Sequence, residues 1–128
     1  MSLLQFLKDN PVDSEPKTYK IRLEGRLSNA EPFECRTLDK EQYKSLQGMA
    51  MKGNKLQTDK LATAVLVSSC VNPKFNDIDL IKELKVATPD QAVEKLLTQG
   101  EISALALQIV DLSGLNVSAE VLEEEVKN

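Results

Sequence analysis

The chain has 128 residues, of which 41% are hydrophobic and 28% charged, and its formal net charge at pH 7 is −4. This length suits one domain, and the acidic balance disfavours polyanion binding because affinity for phosphates comes from clustered Lys and Arg. The sequence contains no His and no glycine-rich phosphate-binding motif. These absences exclude His-based catalysis and argue against most zinc sites and against nucleotide-binding loops.

The charge is distributed unevenly along the chain. Residues 1–58 carry ten basic and eight acidic groups, whereas residues 59–128 carry six basic and twelve acidic groups. Such an acidic half is typical of a solvated surface, and the alternative is steering towards a basic partner. Lys20, Arg22 and Arg26 form a small basic group without interleaved aromatic residues, so the sequence does not predict a nucleic-acid partner.

The N-terminal third is predicted to form a short helix, a linker and a β-hairpin. Ser2 is a suitable N-cap for a helix that ends at Asn10, and residues 1–16 comprise this helix and a proline-containing linker. Residues 17–37 alternate between apolar and polar side chains around a turn, which is typical of a half-buried hairpin. Two strands alone are marginal in water, so we expect the hairpin to lie against helices.

The remaining residues, 38–128, are predicted to be mainly helical. The expected helix starts are Asp39, Asp59, Asn76 or Asp77, Thr88, Glu101 and Ser118, with Gly100 and Gly114 as helix ends. The helix after Asp59 is rich in β-branched residues, so a buried strand is the alternative there. Residues 49–58 are predicted to be a polar, mobile loop.

These elements predict the fold class. We expect a single α+β domain over residues 1–128, mainly α, in which the N-terminal β-hairpin packs on a small bundle of about five helices.

Leu96 and Leu97 are predicted to lie on the buried face of the helix that follows Thr88.

The two cysteines, Cys35 and Cys70, are too few and too far apart in sequence to predict a metal site, and no cofactor is expected. Cys35 falls in a predicted strand, and Cys70 falls in an apolar run that predicts burial. Reduced thiols are expected because no secretory signal is visible, and a disulfide is an alternative supported only by the number of cysteines. No stretch approaches the ~20 apolar residues of a membrane span.

The helix predicted from Glu101 to Ser113 is apolar on more than one side. One apolar stripe along this helix consists of Ile102, Leu105, Ile109 and Leu112. Leu107 and Val110 lie well away from that stripe. Such a helix is either central to its own bundle or shares a face with a partner. On the second interpretation, the partner-binding residues lie on this helix and the final one: Ile102, Leu105, Leu107, Ile109, Val110, Leu122 and Val126.

Several segments together resemble the XkdN-like tail assembly chaperones of long-tailed bacteriophages. They are the opening SLLQFLKDNPV, then CVNPKF, LIKELKVATPDQAVEKLLTQGEI and IVDLSG, and the closing EEEVKN. The resemblance covers almost the whole chain and rests on the order of these segments, with residues 17–60 least distinctive. Leu115 departs from the pattern, which has an aromatic residue after LSG.

This resemblance implies a non-enzymatic role in phage or prophage tail assembly. The implied partners are the tape measure protein and, as a further candidate, the tail tube protein, in the cytoplasm of the bacterial host and without retention in the mature virion. A homo-oligomer is left open. The alternatives are a structural tail or head–tail component that stays in the virion, and a small nucleic-acid-binding regulator, which the acidic balance disfavours.

Overall fold

A computed structural model describes residues 2–13, 15–115 and 119 of the chain. Within them there are six α-helices, which are α1 (Leu3–Asp9), α2 (Lys40–Met49), α3 (Thr58–Ser69), α4 (Ile78–Leu84), α5 (Pro89–Leu96) and α6 (Gln99–Leu112). The strands are β1 (Thr18–Ile21), β2 (Phe33–Arg36), β3 (Met51–Lys52), β4 (Lys55–Leu56) and β5 (Cys70–Asn72). The predicted α+β, mainly helical class is confirmed.

The predicted N-terminal hairpin is present as β1 and β2. They pair antiparallel, with Tyr19 opposite Cys35 and Ile21 opposite Phe33. The sequence did not predict the third strand, β5, which pairs with β2 and gives the sheet order β1-β2-β5. The helix predicted after Asp59 was expected to include Cys70. That prediction is corrected, because α3 ends at Ser69 and Cys70 begins β5.

The core is built where α3 packs against α6, with α5 and α2 also in contact with α3. Leu66 of α3 and Leu105 of α6 are fully buried at 0% exposure. The sheet closes one side of the same cluster through Ile21, Phe33 and Cys35. The two-sided apolar content of α6 therefore follows from its position between several elements of one core.

Helix caps account for several of the observed boundaries. Asp39 accepts a hydrogen bond from the backbone N–H of Gln42 in a reciprocal capping box, and Asp77 and Thr88 cap α4 and α5 as predicted. Asp59 is not a cap. It lies in the first turn of α3, whose N-cap residue makes no side-chain cap bond.

Three further predictions are corrected. Residues 49–58, predicted as a loop, contain the β3–β4 hairpin, whose turn uses Gly53 at φ +62°. Gly100 does not end α5 but lies in the first turn of α6, because Thr98 caps that helix. Leu96 is 37% exposed, whereas Leu97 is buried as predicted. The helix predicted from Ser118 lies outside the described residues.

The orientation of α6 can be tested with two leucines that lie two positions apart. Leu105 is fully buried and Leu107 is 57% exposed. Leu105→Ala leaves a cavity in the core, so we expect it to lower the free energy of unfolding by about 2–5 kcal/mol. Leu107→Ala is the matched control and should change it by no more than about 0.5 kcal/mol. Urea unfolding measures both, and equal losses would contradict this orientation.

Candidate partner-binding surfaces

The structure separates the partner-binding residues predicted on α6 into two groups. Ile102, Leu105, Ile109 and Val110 are buried in the chain's own core, at 1%, 0%, 1% and 6% exposure. These four side chains are therefore covered by the chain's own core in the described fold. Their burial is what the interpretation of α6 as a central helix predicts. Leu107 alone of the α6 set is exposed. Leu122 and Val126 lie outside the described residues.

Among the described elements, α1 has the most exposed large apolar side chains, and it contains no buried residue. Its large side chains are Leu3, Leu4, Phe6 and Leu7, with exposures of 74%, 62%, 53% and 56%. The helix is capped at both ends. Ser2 Oγ accepts a hydrogen bond from the backbone N–H of Gln5, and the Asn10 side-chain amide donates one to the carbonyl of Phe6. Sequence reasoning found this helix but did not identify it as a surface for a partner.

A second exposed apolar surface lies on the β3–β4 hairpin. Met51 and Leu56 are opposite each other across the two strands, with exposures of 44% and 38%, and Met49 just before them is 75% exposed. The next cross-strand pair is Lys52 and Lys55. Methionine side chains adapt to irregular partner surfaces, and the lysines add positive charge beside them.

A groove of about 930 Å³ lies between the linker, the start of α2 and the end of α6. Two hydrogen bonds from backbone N–H groups connect its walls. The N–H of Thr37 donates to the carbonyl of Lys17 at 2.8 Å, and the N–H of Leu38 donates to the side-chain Oγ of Ser113 at 2.9 Å. Charged side chains of both signs line the groove, together with Leu112 and Leu115. Because its lining is of mixed polarity, this groove is less suited than α1 to bind the apolar face of a partner helix.

One ion pair fixes the sheet to the start of α6. Arg26, in the turn between β1 and β2, donates from Nη2 to Glu101 Oε1 at 2.7 Å and from Nε to Glu101 Oε2 at 3.1 Å. Its Nη2 also donates to the carbonyl of Leu96 at 3.0 Å. The guanidinium and the backbone N–H of Thr98 hold the pKa of Glu101 at about 2, below its ordinary value of 4.5.

Neither a metal centre nor a membrane span is found in the described part of the chain. No group of three or more His, Cys, Asp or Glu residues in that part could hold a metal ion. None of its helices is long and apolar enough to cross a bilayer. The described residues therefore offer apolar surface to a partner and no cluster of metal ligands.

Comparison with known proteins identifies the family. The family model of the phage XkdN-like tail assembly chaperone protein matches residues 3–127. The chain therefore belongs to the XkdN-like family of phage tail assembly chaperones, a non-enzymatic family, as the sequence resemblance had predicted.

The fold is also found in a solved structure. The crystal structure of the protein YqbN, a structural genomics target, superimposes with a TM-score of 0.63 at 16% sequence identity. The match covers 91% of this chain and 98% of that one. A likeness at this identity establishes the fold alone. Comparison with curated protein sequences gives no match.

The Arg26–Glu101 pair predicts a pH dependence of stability. A carboxyl whose pKa is lowered on folding stabilises the protein above its unfolded pKa, and this contribution is lost as the pH falls through the folded value. We therefore expect wild type to have a higher free energy of unfolding than Glu101→Gln. This difference should be largest above about pH 4.5 and should disappear as the pH falls towards 2. The amide oxygen of the substituted side chain can still accept the bond from the N–H of Thr98, so the helix cap is retained.

Urea unfolding at a series of pH values measures this difference. Arg26→Gln is the matched variant and should show the same decline over the same interval. A Glu101→Gln effect of constant size from neutral pH down to about pH 2 would contradict the assignment of the stabilisation to this ion pair.

Proposed function

We propose that this chain binds the tape measure protein of its phage or prophage in the host cytoplasm, keeps it soluble, and assists assembly of the tail tube around it. Family membership supports this proposal at the level of tail assembly. The observation that supports binding of the tape measure protein itself is the exposed apolar helix α1. A chaperone for an amphipathic helical chain needs apolar surface that is not buried in its own core.

Helix α1 is too short to be stable by itself. It has seven residues, whereas isolated helices shorter than about 12–15 residues are marginal in water. Most helical stability in proteins comes from burying an apolar face, and α1 buries none of its residues in the described fold. A partner that covers Leu3, Leu4 and Leu7, which recur at helical spacing, would supply this missing burial.

The partner fitted by this surface is a long helix with an apolar stripe, which is the expected form of a tape measure protein. Leu107 on α6 and the Met51–Leu56 pair on the β3–β4 hairpin are further exposed apolar positions. We propose Leu107 as the contact contributed by α6, with Ile102, Leu105, Ile109 and Val110 supporting it from the core. Contacts through Leu122 and Val126 remain predictions from the sequence.

Co-expression with the tape measure protein tests α1 directly. We expect the double variant Leu4→Asp/Leu7→Asp to reduce the soluble fraction of the tape measure protein to about that seen without the chaperone, since charged groups replace the apolar contacts. The chaperone itself should fold normally, because both side chains are more than half exposed. Sedimentation of lysates followed by gel densitometry measures the soluble fraction.

The matched control is Val12→Asp, which changes a 92% exposed apolar residue in the linker and should have no effect. Leu107→Asp in the same assay tests the contact on α6, with the exposed neighbour Gln108→Asp as its control. Unchanged solubility with the α1 double variant would refute α1 as the binding element. Unchanged solubility when the chaperone is omitted would refute the proposed function itself.

A second consequence of the proposal concerns the mature particle. A chaperone that leaves before assembly is complete should be missing from purified virions, although it is present in the lysate. Quantitative mass spectrometry of both samples, with the tail tube protein as the internal reference, measures this. Detection in virions at a fixed ratio to the tube protein would instead identify a retained structural component.

A further inference from the structure

Two buried thiols lie next to each other in the sheet. Cys35 of β2 and Cys70 of β5 are 35 positions apart in sequence, yet their Sγ atoms are 3.7 Å apart. The two residues are 2% and 5% exposed, and both are free thiols. Each belongs to the core cluster, so both sulfurs lie on the core side of the sheet.

A shift in strand register brings the two side chains together. Glu34 is opposite Asn72, but Cys35 is opposite Cys70, so β5 contains one extra residue, Val71, at a β-bulge. Regular pairing would place Cys35 opposite Val71, and Cys70 would then point to the other face of the sheet. The bulge thus puts both sulfurs on the core face and leaves Val71 49% exposed.

The backbone geometry of such a pair is compatible with a covalent bond. Directly opposite residues in antiparallel strands have Cα atoms roughly 4.5–5.5 Å apart, inside the range of roughly 4.4–6.8 Å seen across disulfides. The sulfurs must approach by about 1.7 Å to reach bonding distance, which side-chain rotation and a small strand shift can provide.

The two thiols also differ in acidity. The hydrogen bond between them lowers the pKa of Cys35 and raises the pKa of Cys70, and burial raises the pKa of Cys70 further. Cys35 is therefore the more readily formed thiolate, and the thiolate is the form that attacks a disulfide.

We propose that Cys35 and Cys70 form a reversible intramolecular disulfide when a small diffusible disulfide such as oxidised glutathione is in excess. One cysteine thiolate attacks a sulfur of the oxidant, whose S–S bond breaks and releases one glutathione thiolate. The other cysteine thiolate then attacks the protein sulfur of the mixed disulfide and releases the second glutathione. The protein loses two protons and two electrons, and the oxidant is reduced to two thiols.

Access to these sulfurs requires local opening of β5. This strand has three residues and lies at one edge of the sheet order β1-β2-β5, so it can separate from β2 without disturbing β1. Ser69, at the junction of α3 and β5, has a buried hydroxyl that finds no hydrogen-bond partner among the described residues. Opening this junction gives that hydroxyl access to water, which lowers the cost of the opening.

The bond would link β2 to β5 and enclose α2, the β3–β4 hairpin and α3 in a closed loop. Such a loop stabilises the fold chiefly by restricting the unfolded chain. The oxidised form should therefore unfold at a higher temperature than the reduced form. In a reducing cytoplasm the thiols stay free, and the disulfide forms when the surrounding thiol–disulfide ratio becomes oxidising.

The test uses the full-length wild-type chain, equilibrated with oxidised and reduced glutathione at a series of ratios. We expect the intact mass to fall by two hydrogen atoms without a glutathione adduct. Tryptic digestion without reductant should then yield residues 27–36 linked to residues 61–74, since Arg26, Arg36, Lys60 and Lys74 bound these peptides. Thermal unfolding of the oxidised form should shift upwards by roughly 10 °C and return on reduction.

Cys35→Ala and Cys70→Ala are the matched controls, because each retains one thiol and should show neither the linked peptides nor the upward shift. The proposal is overturned if wild type carries only glutathione adducts, if the two cysteines link separate chains, or if both thiols stay reduced at every ratio. None of these outcomes involves the tape measure protein, so the test is independent of the proposed function.

Discussion

The packing of α3 against α6 is the contact on which the rest of the described fold depends. Leu66 of α3 and Leu105 of α6 have no exposure, and Val65, Ile102 and Ile109 on the same two helices are also buried. Helix α3 continues directly into β5, so the segment that supplies one side of this contact also supplies the third strand. The helical core and the sheet are therefore parts of one cluster, and displacement of α3 would disturb both.

Two polar connections hold the sheet and the start of α2 to the ends of α6. Arg26 reaches from the β1–β2 turn to Glu101 in the first turn of the helix. Ser113, just beyond the last turn, accepts a bond from the N–H of Leu38 and donates to the carbonyl of Ile109. The sheet is thus fixed at one end of α6 and the entry to α2 at the other. Among the described residues, large exposed apolar side chains are grouped on α1 and around the β3–β4 hairpin.

This division of apolar surface is relevant to a tail assembly chaperone. Nearly all of the apolar side chains of α3 and α6 are buried in the core or packed against it. Binding of a partner elsewhere therefore does not require these side chains to leave the core. The apolar residues of α1 lie on a separate short helix joined by a linker that contains Pro11 and Pro16. A partner can cover that helix or leave it without opening the core, which suits reversible binding.

The sequence by itself determined the elements whose signals are local. Alternation between apolar and polar residues predicted the β1–β2 hairpin, and capping residues such as Asp39 and Thr88 set helix boundaries, because both depend on near neighbours along the chain. The ordered segments also identified the family. Only the tertiary structure decided that β5 pairs with β2, since three residues after a helix carry no periodic signal. It also decided which sides of α6 are covered, because periodicity shows that a face is apolar but not what packs against it.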